Sequence, residues 1–336
     1  VVTGLDNDTI TASSGNNTIT AGDGNDTINL NNGTNSLVAG SGLDTITAAS
    51  GTNTVDAGDD ADVITLSGGN NTVYGGSGND SITASGGTNT IATDSGNNTV
   101  VLNAGNNSVT AGASADTITA TGGTNTITAG EGDNTINLNN GTNSLVAGTG
   151  ADTITAANGT NTIDAGNDAD VIILNGGNNT VYGASGTDSI TASNGANFID
   201  AGTENDTITA TGGNNTITAS AGNDTVVLNN GTNTVTGGAG ADNITAASGN
   251  NTVDAGDDAD TITLSGGNNS VSAGSGADSV TADGGNNIIL AGEGINQITL
   301  NDGANTVTGG AVADVFLVNS GINKIDTGEG TNTVTL

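Results

Sequence analysis

An aspartate recurs every eighteen residues along this chain, at Asp8, Asp26, Asp44, Asp62, Asp80, Asp116, Asp152, Asp170, Asp188, Asp206, Asp224, Asp242, Asp260, Asp278 and Asp314. It fills fifteen of the nineteen positions of its column, and Asn98, Asn134, Asn296 and Asn332 fill the other four. Six of these aspartates, Asp26, Asp44, Asp80, Asp152, Asp242 and Asp278, follow Gly-x-Gly-x, a turn that leaves backbone carbonyl oxygens uncovered by side chains, and hard oxygen ligands of that kind suit Ca²⁺. If each stands in one coil of a stacked array, neighbours lie about 4.8 Å apart. At that distance two carboxylates repel by roughly 0.9 kcal/mol in water and about 3.5 kcal/mol at an effective dielectric of about 20. Such a column is tolerable when the carboxylates splay into solvent, are partly protonated, or share a cation. Further acids stand beside it at Asp59-Asp60-Ala61-Asp62, Asn167-Asp168-Ala169-Asp170 and Asp257-Asp258-Ala259-Asp260. These read either as stronger ion sites or as duplicated solvated turns.

The column belongs to an eighteen-residue pattern that runs from Thr3 to Asp326 without insertion or deletion. A strict period means that every copy takes the same place in a stack. Each copy has two nine-residue halves: Ala-Gly-x-Gly-x-Asp-Thr-Ile-Thr, as in Ala21 to Asn29, and Ala/Leu-x-x-Gly-x-Asn-Thr-Ile/Val-x, as in Leu30 to Val38. The β-branched alternating runs predict strands and the Gly-containing segments predict turns. The expected fold is all-β: a parallel β-solenoid with two short strands per coil and two facing sheets. Residues 1–336 form one continuous solenoid in this reading, with eighteen full coils over 3–326 and a partial coil over 327–336, about nineteen in all.

Alternation predicts that Ile10, Ile28, Ile46 and Ile64 point inward from one sheet, and Ile19, Leu37, Val55 and Val73 from the other. The next inward position alternates in size, Ala12, Leu30, Ala48, Leu66, and slips once at Ala192 and Ala210. Its opposite position is small, as at Ala21, Ala39, Ala57 and Gly75. Large-over-small layering fills a thin core. The Asn column (Asn17, Asn35, Asn53 onward to Asn323) predicts a hydrogen-bonded ladder along the axis, and the Gly two residues before each Asn predicts positive φ or crowded backbone. Asn25 to Ile91 recurs as Asp133 to Ile199 and again as Asn223 to Ile289, which points to a scaffold lengthened by duplication.

Composition excludes several classes. The formal net charge is −34, with Lys324 the only basic residue, which argues against nucleic acid or anionic membrane as partners and calls for divalent cations. Without His, Cys or Arg, and with no coil that breaks the pattern to build a cleft, no catalytic residues and no enzyme are expected. Disulfides are excluded by the absence of cysteine. The chain opens at Val1 without an initiator methionine, and so reads as a processed product or a segment of something larger.

Gly75-Gly76-Ser77-Gly78-Asn79-Asp80-Ser81-Ile82-Thr83 and Gly237-Gly238-Ala239-Gly240-Ala241-Asp242-Asn243-Ile244-Thr245 match the nonapeptide Gly-Gly-x-Gly-x-Asp-x-U-x, where U is a large apolar residue. The chain thereby resembles the haemolysin-type, or RTX, calcium-binding repeats. That resemblance implies a β-roll, calcium as the cofactor held between turns of successive coils, and folding that waits for calcium after secretion. It covers the first half of nearly every coil. In the second half Asn replaces Asp, so the implied ion columns fall from two to one.

The favoured role is an extracellular or cell-surface structural protein whose copies stack head to tail into a calcium-stabilised filament or matrix fibre. Val1 and Val2 fall at coil positions 17 and 18 and Leu336 at position 10, so the last strand of one copy is in phase to stack under the first of the next, with no cap at either end. A segment of a large adhesin or surface-layer protein is one alternative. Ice binding is another, through outward Thr-x-Thr pairs such as Thr9/Thr11, Thr45/Thr47 and Thr117/Thr119, an array interrupted at Asn29, Val63, Val101 and Val171/Ile173.

Overall fold

The computed structural model describes residues 1–336, which form two compact units, Val1–Asn167 and Asp168–Leu336. In the first unit nine four-residue strands, from Thr9–Ala12 to Thr153–Ala156, pair side by side in a parallel sheet. Nine longer strands, from Asn16–Asp23 to Thr160–Asn167, form a second parallel sheet. The second unit repeats the arrangement, with short strands from Val171–Leu174 to Thr333–Thr335 and longer ones from Asn178–Ser185 to Ile322–Asp326. There is no helix. Register advances by one repeat at every step: Ile10 stands beside Ile28, Asn16 beside Thr34, Val171 beside Ser189 and Asn178 beside Ala196. Both units are parallel β-solenoids, as the period predicts.

The expectation of two short strands per coil holds for one of them. The strand after the Asn turn runs eight residues in most coils and five in the rest, because its ladder continues through the paired small residues, as in Gly22 beside Gly40 and Gly58 beside Gly76. Glycine lets neighbouring backbones keep pairing there: a Cβ on Gly76 would strike the Gly58 carbonyl oxygen, and Gly76 already sits at φ +97°.

Between the two sheets of each unit lies a dry strip of side chains. Ile28, Ile46, Ile64, Val55, Val73, Leu30, Leu66 and the intervening Ala48 and Ala57 are fully buried, as the alternation requires. Each Ile, Leu or Val removed from water contributes about 1.5–3 kcal/mol. Three residues depart from the small-residue column, Thr3, Thr93 and Thr327, and of these Thr93 is fully buried with a hydroxyl that finds no partner.

The Asn column is a ladder. Asn35 Nδ2 donates to Asn53 Oδ1 (2.8 Å), Asn53 to Asn71 (2.8 Å) and Asn71 to Asn89 (2.7 Å). The other amide hydrogen closes the turn, as in Asn53 to the Ser50 carbonyl (3.2 Å) and Asn71 to that of Gly68 (3.1 Å). The second unit does the same from Asn197 through Asn215 and Asn233 to Asn251. The Gly two residues earlier meets both expectations for it: Gly33 sits at φ +100°, and a Cβ there would collide with the Gly15 carbonyl oxygen.

Asn125 accepts from Asn107 (2.8 Å) and donates to Asn143 (2.7 Å) and to the Gly122 carbonyl (3.2 Å), all while buried. Its neighbour Thr126 points into solvent. Asn125→Ala strands a buried acceptor and removes a donor's partner, so it is expected to cost about 2–3 kcal/mol, whereas Thr126→Ala stays within about 0.5 kcal/mol. Denaturant unfolding of the two variants measures the difference, and equal effects would mean that the ladder bears no weight.

Candidate cation site in the aspartate turns

On the opposite edge of each coil the turn Gly75-Gly76-Ser77-Gly78-Asn79-Asp80 shows the general construction. Gly76 and Gly78 take positive φ (+97° and +132°), which curls the turn and brings Asp80 inward. Asp80 is 1% exposed, and so are Asp26, Asp44, Asp62, Asp188, Asp206, Asp224, Asp260 and Asp278, with Asp242 at 2%. Of the arrangements open on sequence grounds, splaying into solvent is therefore not the one adopted.

The two carboxylate oxygens have different tasks. Oδ1 accepts the backbone N–H of the column residue one coil earlier: Asp8 to Asp26 (2.7 Å), Asp26 to Asp44 (2.7 Å), Asp44 to Asp62 (2.8 Å) and Asp62 to Asp80 (2.9 Å). The second unit continues likewise from Asp170 to Asp188 (2.8 Å) through Asp260 to Asp278 (2.9 Å). An asparagine does this equally well, since Asn98 Oδ1 accepts from Asp80 and Asn134 Oδ1 from Asp116, both at 2.9 Å. The stacking bond explains an Asx residue in the column but not an aspartate.

The second oxygen supplies that reason. Oδ2 of Asp26, Asp44, Asp62, Asp80, Asp188, Asp206, Asp224, Asp242, Asp260 and Asp278 is buried and has no hydrogen-bond donor. Where asparagine stands instead, its Nδ2 donates to the carbonyl two residues back, Asn98 to Gly96 (2.8 Å) and Asn134 to Gly132 (2.9 Å). Replacing that NH2 by oxygen removes the donor and leaves acceptors facing acceptors. In the turns that open with glycine, a Cβ on Gly75 would fall against Asp80 Oδ2 and the Thr93 carbonyl oxygen, and one on Gly237 against Asp242 Oδ2 and the Ala255 carbonyl oxygen. Such a cradle of carboxylate and carbonyl oxygens fits a hard cation. No three acidic side chains converge on one point, so an ion here completes its shell with backbone carbonyls, as Ca²⁺ with six to eight oxygen ligands can.

The remaining residues of the column are placed as follows. Asp152 and Asp170 are buried at 1% exposure, and Asp152 Oδ1 accepts from Asn134 N–H (2.7 Å). Asp116 and Asp314 are buried too, but their Oδ2 atoms accept the N–H four residues back, from Gly112 (3.3 Å) and Gly310 (2.9 Å). Asp8 is half-buried and takes a longer bond from Gly4 (3.4 Å). The acidic clusters are divided by the turn: Asp62 and Asp260 go inside, Asp59 and Asp257 accept from Ser77 and Ser275 at the surface (2.7 Å each), and Asp60 and Asp258 stay exposed at φ +77° and +72°. A second side-chain ladder in the same turn escaped the sequence reading: Asn7 Oδ1 accepts from Asn25 N–H (2.8 Å), Asn25 from Leu43 (2.9 Å) and Asn79 from Asn97 (2.8 Å). Its signal is the asparagine one residue before the column, at Asn7, Asn25, Asn79 and Asn97.

Burial pushes the Asp62, Asp206 and Asp260 carboxyls up to about 7 and that of Asp242 up to about 6, against the lowering effect of the N–H each accepts; neighbouring carboxylates add to the rise. Asp44, Asp80, Asp188, Asp224 and Asp278 are raised for the same leading reason. An unfolded aspartate titrates near about 3.9, so between about pH 4 and 7 the folded chain holds protons that the unfolded chain has released. Stability from these groups is complete below the unfolded value and is lost as pH rises through the folded one. In chelator the melting temperature is expected to fall between about pH 4.5 and 8, and saturating calcium to reverse that slope by binding the deprotonated form. A calcium-free melting temperature that rises over this range would contradict the buried carboxyls.

Among solved structures, the crystal structure of a hyperactive, Ca²⁺-dependent, β-helical antifreeze protein from an Antarctic bacterium is similar at 18% identity, covering 82% of this chain and 78% of that one with a TM-score of 0.40. No curated protein matches the chain. A family model does so along most of its length: the RTX calcium-binding nonapeptide repeat matches in overlapping segments from residues 2–37 to 281–316. The chain belongs to the RTX calcium-binding nonapeptide repeat family, with calcium as its cofactor.

Proposed function

We propose that this chain is an extracellular structural protein, a β-solenoid set by calcium in its aspartate turns and stacked head to tail into a filament or matrix fibre. The observation that carries the reading is the column of buried carboxylate oxygens without donors, from Asp26 to Asp80 and from Asp188 to Asp278. A fold that buries so many unpaired charges is costly until a cation shares them. Modules of modest affinity, with dissociation constants on the order of 10⁻⁴–10⁻³ M, work where calcium is plentiful, outside cells. Ligand binding to the folded form alone then adds stability by mass action. Stacking is supported by the equivalence of the coils, since each pairs with the next through the same backbone, Asn and Asp contacts. A coil of another copy can therefore continue the same columns. The residual negative charge limits lateral clumping.

Circular dichroism and electron microscopy of the purified chain, with calcium and then with chelator, test this together. The expected result is β-structure and thin fibres with calcium, and a lower melting temperature with fibre loss in chelator. Calcium-insensitive melting would sink the metal reading, and monodisperse particles at high concentration with calcium would sink the fibre.

One observation favours ice binding as a second reading. On the outer face of the longer strands in the unit Val1–Asn167, two adjacent columns are Thr, Ser or Asn in every coil, from Asn16/Thr18 through Thr88/Thr90 to Thr160/Thr162. The face is more regular than the short-strand array read from the sequence. Thermal hysteresis that disappears in Thr90→Tyr/Thr126→Tyr would support it, and absence of hysteresis in the parent chain would remove it.

A further inference from the structure

Six asparagines stand directly before a glycine, and all six lie in turns on the Asn side of the coil: Asn32, Asn140, Asn158, Asn175, Asn194 and Asn230. In five of them the glycine is the invariant one of its turn, at φ between +92° and +101°. The sixth, Asn175, comes one residue earlier in its turn, and its glycine is buried. The side chains of the five are exposed. A ladder asparagine is protected by contrast: Asn143 is buried, accepts from Asn125 (2.7 Å), donates to Asn161 (2.7 Å) and precedes a serine.

At an Asn-Gly step the backbone nitrogen can reach the preceding carboxamide, because glycine puts no Cβ in the way. The reaction needs that N–H free and the carboxamide free to turn. The N–H groups of Gly33, Gly141, Gly159, Gly195 and Gly231 meet no backbone acceptor. The carboxamides differ among themselves. Asn32 Oδ1 accepts from Ser50 Oγ (2.7 Å), and Asn230 Oδ1 from Ser248 Oγ (2.9 Å). Asn194 Nδ2 donates to the Asn175 carbonyl (3.2 Å). Nothing holds the side chains of Asn140 and Asn158, since one period on from them stand Asn158 and Gly176 in place of a serine.

We infer that Asn140 and Asn158 are sites of spontaneous deamidation and isoaspartate formation, an ageing reaction built into the Asn-side turns. The glycine nitrogen gives its proton to water and attacks Cγ; a new C–N bond forms, the bond from Cγ to Nδ2 breaks, and ammonia leaves. The resulting succinimide takes up water from solvent. Addition at Cγ gives aspartate, and addition at the main-chain carbonyl gives isoaspartate, whose backbone runs through Cβ and Cγ. Aspartate adds a charge to a set of turns in which the chain carries only Asp283 and Asp302. Isoaspartate does more. The carbonyls of Asn140 and Asn158 close the turn for Asn143 (3.5 Å) and Asn161 (3.2 Å), and in isoaspartate that carbonyl becomes a carboxylate off the main chain. The backbone also gains a carbon in a coil whose period admits no insertion. Replacing the glycine is no remedy, because a Cβ on Gly141 or Gly159 would strike the carbonyl oxygen of the glycine one coil before.

Ageing the full folded chain in mildly alkaline buffer with saturating calcium, then cleaving it at its acidic residues and locating the products by tandem mass spectrometry, tests this. Each of the six steps falls in its own peptide. Asn32, Asn140, Asn158 and Asn230 share the triplet Asn-Gly-Thr, so rate differences among them report the fold. Asn140 and Asn158 are expected to convert about fivefold faster than Asn32 and Asn230, the factor for one hydrogen bond of about 1 kcal/mol that must break first. In denaturant the four rates are expected to converge. Ser50→Ala is expected to bring Asn32 up to the rate of Asn140, and alanine already stands at that place of the turn in Ala104. Equal rates in the folded chain, or no effect of Ser50→Ala, would overturn the assignment of the labile pair. An aged chain without aspartate or isoaspartate at Asn140 and Asn158 would overturn the sites themselves.

Discussion

Each coil can rest on the next only if the amides in its turns find acceptors there, and this requirement governs the structure. A turn cannot supply its own N–H groups with strand partners, and buried amides without acceptors are costly. Here the acceptors on the adjacent coil are side-chain oxygens, Asp or Asn Oδ1 on one edge and the Oδ1 of the Asn ladder on the other, where the second amide hydrogen of each Asn closes its own turn. A residue inserted anywhere in a coil would shift these oxygens away from their donors, so the eighteen-residue period admits no slippage. The apolar strip then needs only to be thin, because the polar edges hold the register.

That solution carries an electrostatic cost. Asparagine at Asn98 and Asn134 shows that Oδ1 alone serves the stacking bond, with Nδ2 disposed of on a turn carbonyl. Aspartate in the same place brings a second oxygen into a space with no donor, beside like charges one coil away. Burial then drives the carboxyls of Asp62, Asp206 and Asp260 toward neutrality near pH 7. The column is thus poised between holding a proton and holding a cation, and the medium decides which.

Much of this was legible in the residues. Ile and Val at every second position of short runs gave the two inward faces, and the invariant Gly and Asn gave the turn, because those positions obey local rules of alternation and backbone conformation. The length of the second strand was not legible. Ala-Gly before a polar residue reads as a turn, and only the approach of the neighbouring backbone shows that Gly22, Gly40 and Gly58 continue a ladder. Thr93 in the small-residue column was equally hidden, since its burial depends on packing rather than on pattern. The aspartates were found as a column, yet whether a carboxylate points outward, caps its own turn or lies open depends on atoms in the coils above and below. Asp116 and Asp80 share one column in the sequence and differ in the fold.

The Asn ladder has a direction. Every Nδ2 donates toward the coil later in the sequence and every Oδ1 accepts from the coil before it, and the Asp-side N–H bonds run the same way. At these two columns the faces of a coil are therefore unlike, one offering amide hydrogens and the other bare oxygens, while the strands between them offer both N–H and C=O to either side. Contact between two like faces would set each of these columns donor against donor or acceptor against acceptor. A coil-on-coil junction between copies would therefore satisfy the Asn and Asp columns only when polar, and a two-fold symmetric one would leave both columns unmatched.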